Sequence, residues 1–117
     1  AAYKAVELVR RLRDAGAEVQ VAMTANAQRF VGAASLQAVS GTPVRDTLWD
    51  EAAEAAMGHI ELARWADRVV VAPATADLLA KLAHGIADDL VTTLCLATTA
   101  PLTVAPAMNN RMWLHPA

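Results

Sequence analysis

The 117 residues are enough for one hydrophobic core and at most one domain. A formal net charge of −2, and no apolar run of the roughly 18 residues that span a bilayer, make nucleic acid and membranes unexpected partners. The single cysteine, Cys95, excludes an internal disulfide framework and is typical of a reducing compartment, so we expect a cytoplasmic protein.

Hydrophobic spacing predicts alternating elements in the first half of the chain. The predicted elements are a helix over 2–15, a strand over 18–23, a helical stretch over 24–32 and a short helix over 33–40. Gly16 is a typical helix stop, and Gly32 breaks the stretch before it. Residues 44–58 carry little periodicity and several acidic side chains, which indicates that they lie mostly at the surface.

The same alternation continues in the second half. The predicted elements are a helix over 60–66, a strand over 68–72 ended by Pro73, a helix over 77–84, a helix over 88–96 capped by Asp88, and a strand over 102–105. The apolar run 69–71 is typical of a central parallel strand covered on both faces. Alternating strands and helices predict an α/β fold with three layers and an open parallel sheet.

This sequence begins with a helix, whereas a doubly wound domain normally begins with a strand and a glycine-rich turn. We therefore expect the first strand to be missing from the sequence given, together with part of the phosphate cradle.

The most informative segment is the octet Pro106-Ala107-Met108-Asn109-Asn110-Arg111-Met112-Trp113, which follows an apolar run. Its proline ends an extended segment because it has no N–H donor. The amide of Asn109 is both donor and acceptor, which suits a carboxylate or amide of a small molecule. The alternative is a plain strand end before a short helix. In either case we predict that Met112 and Trp113 pack the loop rather than contact a ligand.

The octet resembles the signature of the flavin-containing cysteine decarboxylases, most closely the branch that acts in coenzyme A biosynthesis. Further matching motifs occur along the whole chain, at 1–4 (Ala-Ala-Tyr-Lys), 57–60 (Met-Gly-His-Ile), 72–77 (Ala-Pro-Ala-Thr-Ala-Asp) and 85–90 (Gly-Ile-Ala-Asp-Asp-Leu). The resemblance implies a Rossmann-like flavoprotein fold and FMN-dependent decarboxylation of 4′-phosphopantothenoylcysteine to 4′-phosphopantetheine. It also implies that 1–117 is a flavin-binding decarboxylase domain that is incomplete at both ends.

Three predicted strand ends carry small residues with hydroxyl or amide groups, at 24–26, 73–77 and 106–109. Ligands of open α/β sheets gather at the carboxyl ends of strands, although helix capping would explain each turn by itself. The resemblance implies that Thr24 and Asn26 contact the phosphate side of FMN. For the ribityl chain and ring it implies Thr75, Ala76, Asp77, Ala107 and Met108, where the family often has Ser-Ala-Asn at 75–77.

An imidazole can accept or hold a proton near neutral pH, so His59 is a candidate acid–base residue. A cap or surface role is the alternative for a histidine beside a glycine. The resemblance implies catalytic roles for His59 and Asn109, with Asn109 and Met108 binding substrate.

The remaining candidates receive structural roles. We predict that His84 and His115 are solvated, and that Cys95 is an inert core thiol because an apolar setting raises the pKa of a thiol. The three histidines are 25 and 31 residues apart, which matches no zinc pattern, so we expect no metal.

The resemblance also implies a homo-oligomer, a trimer or a dodecamer of trimers, in which FMN lies between subunits and His59 acts across a subunit boundary. It implies a ligase domain fused in the full-length protein. Three alternatives stay open: a flavin decarboxylase of peptidyl cysteine, a non-catalytic FMN-binding regulatory module of the same fold, and a flavin prenyltransferase, which lacks the octet.

Overall fold

The computed structural model describes residues 2–52 and 57–117. These residues form helices and two strands, and both strands lie in the second half of the chain. The elements are α1 (Lys4–Asp14), a 3₁₀ turn (Ala27–Arg29), α2 (Ala33–Ser40), α3 (His59–Trp65), β1 (Val69–Ala74), α4 (Ala76–His84), α5 (Leu90–Ala97), β2 (Leu102–Pro106) and α6 (Asn110–Trp113).

Strands β1 and β2 form a parallel sheet in which Val69 lies opposite Leu102 and Val71 opposite Val104. Helices α4 and α5 connect the two strands, because a parallel pair needs a crossover rather than a tight turn. The predicted α/β fold with a parallel sheet is therefore confirmed, and the carboxyl ends of both strands lie side by side.

Strand β1 continues through Pro73, which was predicted to end it. Proline has no N–H for the ladder, and the register shifts between Val71 and Ala74 before Ala74 pairs with Pro106. The Ala72–Pro73 peptide bond is cis.

The prediction that 69–71 is covered on both faces is wrong at Val70, which is 46% exposed. Successive side chains of a strand point to opposite faces. Val71 and Ala74 face a core cluster completed by Leu78 of α4, whereas Val70 lies on the other face.

The predicted strand over 18–23 is present only as one parallel bridge between Ala22 and Arg45. The Met23 N–H donates to the Arg45 carbonyl oxygen at 2.8 Å, and the Arg45 N–H donates to the Val21 carbonyl oxygen at 2.9 Å. These two hydrogen bonds form a single β-bridge and not a continuous pairing of two strands. The alternation still predicted burial correctly, because Met23 lies in a second core cluster with Val9 of α1.

Two helix starts also differ from the prediction. The 3₁₀ turn is the one helical element described within 24–32. Gly32 does not end a helix there, because it is the N-cap residue of α2. Helix α5 is capped by Asp89 rather than Asp88, since the Asp89 Oδ1 accepts the Thr92 N–H at 2.8 Å in a capping box. No helix of the part of the chain described here is long and apolar enough to span a bilayer.

Candidate functional site

The turns that follow β1 and β2 lie directly beside each other. The Ala107 N–H donates a hydrogen bond to the Ala74 carbonyl oxygen at 2.9 Å, one residue beyond the last strand pair. This bond places 75–77 next to 107–109, so two of the three predicted ligand-binding turns share one edge of the sheet.

Thr75 begins α4, and its Oγ1 accepts the Leu78 N–H at 3.1 Å. The first N–H groups of a helix have no acceptor within the helix, and the helix dipole makes this end positive. With the Leu78 N–H used by the cap, the N–H groups of Ala76 and Asp77 remain as donors for a ligand.

The carboxylate of Asp77 is exposed, and its Oδ2 lies 3.4 Å from the Lys81 Nζ one turn along α4. The same ammonium group lies 3.2 Å from the Asp88 Oδ2. The hydrogen bond to Asp88, assisted by the charges of both carboxylates, raises the pKa of Lys81. Asp77 is thus held by a structural ion pair, and its contact with FMN stays a prediction.

Asn109 is exposed and caps α6, because its Oδ1 accepts the Arg111 N–H at 2.9 Å. The carbonyl oxygen of the amide is used by the cap, so its NH₂ group is the part available to a ligand. An NH₂ donor matches a carboxylate acceptor. The capping alternative and the binding role are therefore compatible in this one side chain.

The prediction that Met112 and Trp113 pack the loop is wrong, since they are 54% and 61% exposed. A single helical turn has too few positions to bury both side chains. Trp113 instead lines an open depression of about 320 Å³ together with Pro106 and Met108. This depression lies on the residues of the octet.

His59 is half-buried at the first position of α3. Helix α3 packs against α5 through its buried residues Leu62 and Ala63, and the Thr98 Oγ1 donates to the Ala63 carbonyl oxygen at 2.9 Å. These contacts fix the helix that carries the imidazole.

The remaining predicted turn contains Thr24, which is half-buried, and Asn26, which is exposed. The Thr24 Oγ1 accepts the Ala27 N–H, the first of the 3₁₀ turn, at 3.2 Å, whereas Asn26 at the N-cap position makes no side-chain capping bond. As at the other two turns, a capping role is present whether or not the residue also contacts a ligand.

Arg45 connects this turn to the region of His59. Its backbone pairs with Met23, next to Thr24, and its Nη1 donates to the Met57 carbonyl oxygen at 2.7 Å. The prediction that 44–58 lies mostly at the surface is wrong at Arg45, which is 8% exposed. No pattern in the sequence marks this burial, since an arginine in an acidic, aperiodic segment is typical of a solvated surface.

The residues assigned no site role behave largely as predicted. His84 and His115 are exposed. Cys95 is half-buried against the cluster of Val71 and Leu78, and burial, with a smaller contribution from Asp89, raises the pKa of its thiol. Residues 2–52 and 57–117 contain no group of three side chains suited to a metal ion.

The comparisons with known proteins agree with the motifs. The profile of the Flavoprotein family matches residues 1–117. The coenzyme A biosynthesis bifunctional protein CoaBC of Escherichia coli is 66% identical over 113 residues, which are 97% of this chain and 28% of that protein. The chain therefore spans little more than a quarter of this relative.

Two solved structures share the fold. The FMN-dependent cysteine decarboxylase SpaF superposes with a TM-score of 0.87 at 38% identity, over 98% of this chain and 66% of that one. A mutant PPC decarboxylase complexed with pantothenoylaminoethenethiol gives a TM-score of 0.80 at 37% identity, over 98% and 65%. The resemblance inferred from the motifs is confirmed, and with its Rossmann-like α/β fold the chain belongs to the Flavoprotein family.

Proposed function

We propose that this chain binds FMN and forms the decarboxylase part of an enzyme that converts 4′-phosphopantothenoylcysteine to 4′-phosphopantetheine and CO₂. The observation that carries the proposal is the hydrogen bond between Ala107 and Ala74. It brings the first N–H groups of α4 next to the turn that contains Asn109. The 66% identity to CoaBC supports the choice of substrate.

The residues at this edge of the sheet fit a flavin. An isoalloxazine ring has flat apolar faces and a polar edge. Here an apolar depression at Met108 and Trp113 lies on the turn that Ala107 joins by a hydrogen bond to Ala74, the residue before Thr75. The residues that would hold FMN are Thr24, Asn26, Thr75, Ala76, Asp77, Ala107 and Met108.

The chemistry that FMN supplies when bound is a reversible two-electron oxidation of the cysteinyl thiol, which makes loss of the neighbouring carboxylate as CO₂ feasible. The NH₂ group of Asn109 donates to the substrate carboxylate and orients it, with Met108 packing beside the substrate. His59 accepts or holds a proton during the reaction.

We further propose that the chain is one domain of a longer cytoplasmic protein, incomplete at both ends, with a fused ligase domain. The match to 28% of a bifunctional protein supports a longer parent protein with a second domain. A homo-oligomer, a trimer or a dodecamer of trimers with His59 acting across a subunit boundary, would cover apolar side chains that are exposed here. These are Val70, Leu102, Trp113 and Leu114.

The test is to purify the full-length protein that contains this chain, identify any bound flavin by its spectrum and mass, and measure CO₂ release from 4′-phosphopantothenoylcysteine. We expect a yellow protein that releases one CO₂ for each 4′-phosphopantetheine formed. A colourless protein that takes up no added FMN, or an FMN-loaded protein that releases no CO₂, would contradict the proposal.

A second candidate is a decarboxylase of peptidyl cysteine. The likeness to an EpiD variant complexed with the substrate peptide DSYTC, with a TM-score of 0.81 at 26% identity, favours it, whereas the identity to CoaBC opposes it. A peptide with a C-terminal cysteine, offered to the same preparation, distinguishes the two substrates. Faster CO₂ release from the peptide would favour the second candidate.

A further inference from the structure

Arg45 is a buried cation that the proposed function does not use. Its side chain is 8% exposed, and its Nη1 donates to the Met57 carbonyl oxygen at 2.7 Å. Its Nε is buried and has no hydrogen-bond partner in the described part of the chain. None of the ion pairs formed among residues 2–52 and 57–117 includes Arg45.

Such an arrangement is unfavourable for a guanidinium group. The group stays charged under all physiological conditions and has five N–H donors, arranged to match the oxygens of a carboxylate or phosphate. A buried charge is stabilised by an opposite charge, and a neutral carbonyl oxygen supplies only part of that stabilisation. An oxyanion beside Arg45 would supply the remainder.

The position of Arg45 indicates which ligand could bring that oxyanion. Its backbone is held by hydrogen bonds to Val21 and Met23, directly before the turn of Thr24. Its side chain ends at Met57, two residues before His59. Arg45 therefore joins the backbone beside the turn predicted to contact the phosphate of FMN to the backbone two residues before His59, the residue proposed to act on the substrate.

We propose that Arg45 binds an oxyanion of a ligand held at this site, namely the phosphate of FMN or an oxyanion of the substrate. This inference rests on the proposed function for the identity of the ligand. The bond to Met57 then serves to orient the guanidinium group.

The test compares Arg45→Met with wild type in the full-length protein. Affinity of the apoprotein is measured for FMN and for riboflavin, which lacks the phosphate, and KM is measured for 4′-phosphopantothenoylcysteine. Arg13→Met is the matched control, because the exposed Arg13 also donates from Nη1 to a backbone carbonyl, that of Val39, at 3.1 Å. Arg45→Gln keeps a donor for Met57 without the charge, and replaces Arg45→Met if that variant does not fold.

If Arg45 binds the phosphate of FMN, its loss weakens FMN roughly tenfold and leaves riboflavin unchanged, as expected for one charge-assisted hydrogen bond. If it binds the substrate, FMN affinity is unchanged and KM rises roughly tenfold with a smaller change in kcat. Arg45→Lys retains most of the affected binding in either case. Equal losses for FMN and riboflavin with an unchanged KM, or the same losses in Arg13→Met, would overturn the inference.

Thermal stabilisation by inorganic phosphate gives a readout that does not depend on the proposed function. We expect phosphate to raise the melting temperature of the apoprotein in wild type and less in Arg45→Met. A wild type that binds no FMN but keeps this difference refutes the proposed function and supports the role of Arg45. If the wild type binds FMN and is active, and Arg45→Met matches it in every measurement, the proposed function stands and the role of Arg45 is refuted.

Discussion

The Oδ1 of Asn109 accepts a hydrogen bond from the backbone N–H of Arg111 at 2.9 Å, so the amide group that starts α6 is the same one proposed to bind the substrate carboxylate. The two functions use different atoms of the amide. The oxygen accepts the helix N–H, and the NH₂ group is the one proposed to donate to the substrate. Substitutions can therefore separate the structural role from the chemical one.

Asn109→Asp should keep the helix cap and abolish most of the activity. Aspartate caps a helix as well as asparagine does, so we expect an unchanged melting temperature. It has no NH₂ donor and would repel the substrate carboxylate, and loss of a hydrogen bond to a charged group, about 1.5–3 kcal/mol, predicts at least roughly a tenfold fall in kcat/KM. Differential scanning calorimetry and CO₂ release measure the two effects. Equal activity of Asn109→Asp and wild type would exclude the carboxylate contact.

His59→Gln should lower kcat/KM by about 10²- to 10⁴-fold, the usual contribution of a general acid or base. The matched control is His84→Gln, because His84 is exposed at the end of α4 and has no proposed role. FMN content is measured in both variants, so that loss of cofactor is not mistaken for loss of catalysis. We also expect the pH profile of kcat/KM to lose its acidic or its basic decline in His59→Gln, and to stay unchanged in His84→Gln. A variant with normal turnover and an unchanged profile would remove the acid–base role.

Thr92→Val should destabilise the start of α5. Thr92 is 1% exposed, and its Oγ1 accepts the N–H groups of Asp88 and Asp89, both at 3.1 Å. Valine has nearly the same shape but leaves those donors without this acceptor, which costs about 1–3 kcal/mol. Urea unfolding followed by circular dichroism measures the loss, with the exposed Thr99→Val as control. A change of the same size in both variants would mean that the capping box does not stabilise α5.

Elements whose ends are set by neighbouring residues could be predicted from the sequence. Helix α2 occupies 33–40 as predicted, because Gly41 adopts the left-handed conformation (φ 75°) that ends a helix and favours glycine. The adjacency of the turns at Thr75 and Asn109 also follows from the sequence. Two consecutive strands joined by helices pair in parallel, and their carboxyl ends then meet at one edge.

Features that depend on distant residues could not be predicted. The alternation over 18–23 determines which side chains are buried, but not whether another strand lies alongside for pairing. Asp88 and Asp89 are equally suitable caps by residue type, and the choice depends on Thr92 and on an ion pair between Asp88 and Lys81. The burial of Arg45 arises from contacts with Met23 and Met57, which no local pattern shows.

Cys95 should react slowly with alkylating agents in the folded protein. Burial, and to a smaller extent the negative charge of Asp89, raises the pKa of its thiol above the ordinary value of 9.0. Because the thiolate is the reactive form, we expect iodoacetamide at about pH 8 to modify Cys95 much more slowly than in urea. Peptide mass spectrometry locates the modification in the full-length protein. Equal rates in the folded and the unfolded protein would contradict the raised pKa.

The same shift predicts how stability depends on pH. With a raised pKa, the folded protein keeps the Cys95 proton at pH values where the unfolded chain has lost it. The free energy of unfolding is therefore undiminished below the ordinary pKa of a thiol and falls as pH rises from there through the raised pKa. Cys95→Ala removes this contribution, so its free energy of unfolding should fall less steeply above about pH 9 than that of wild type. Urea unfolding at several pH values measures both slopes, and parallel slopes would show that Cys95 ionises equally in the two states.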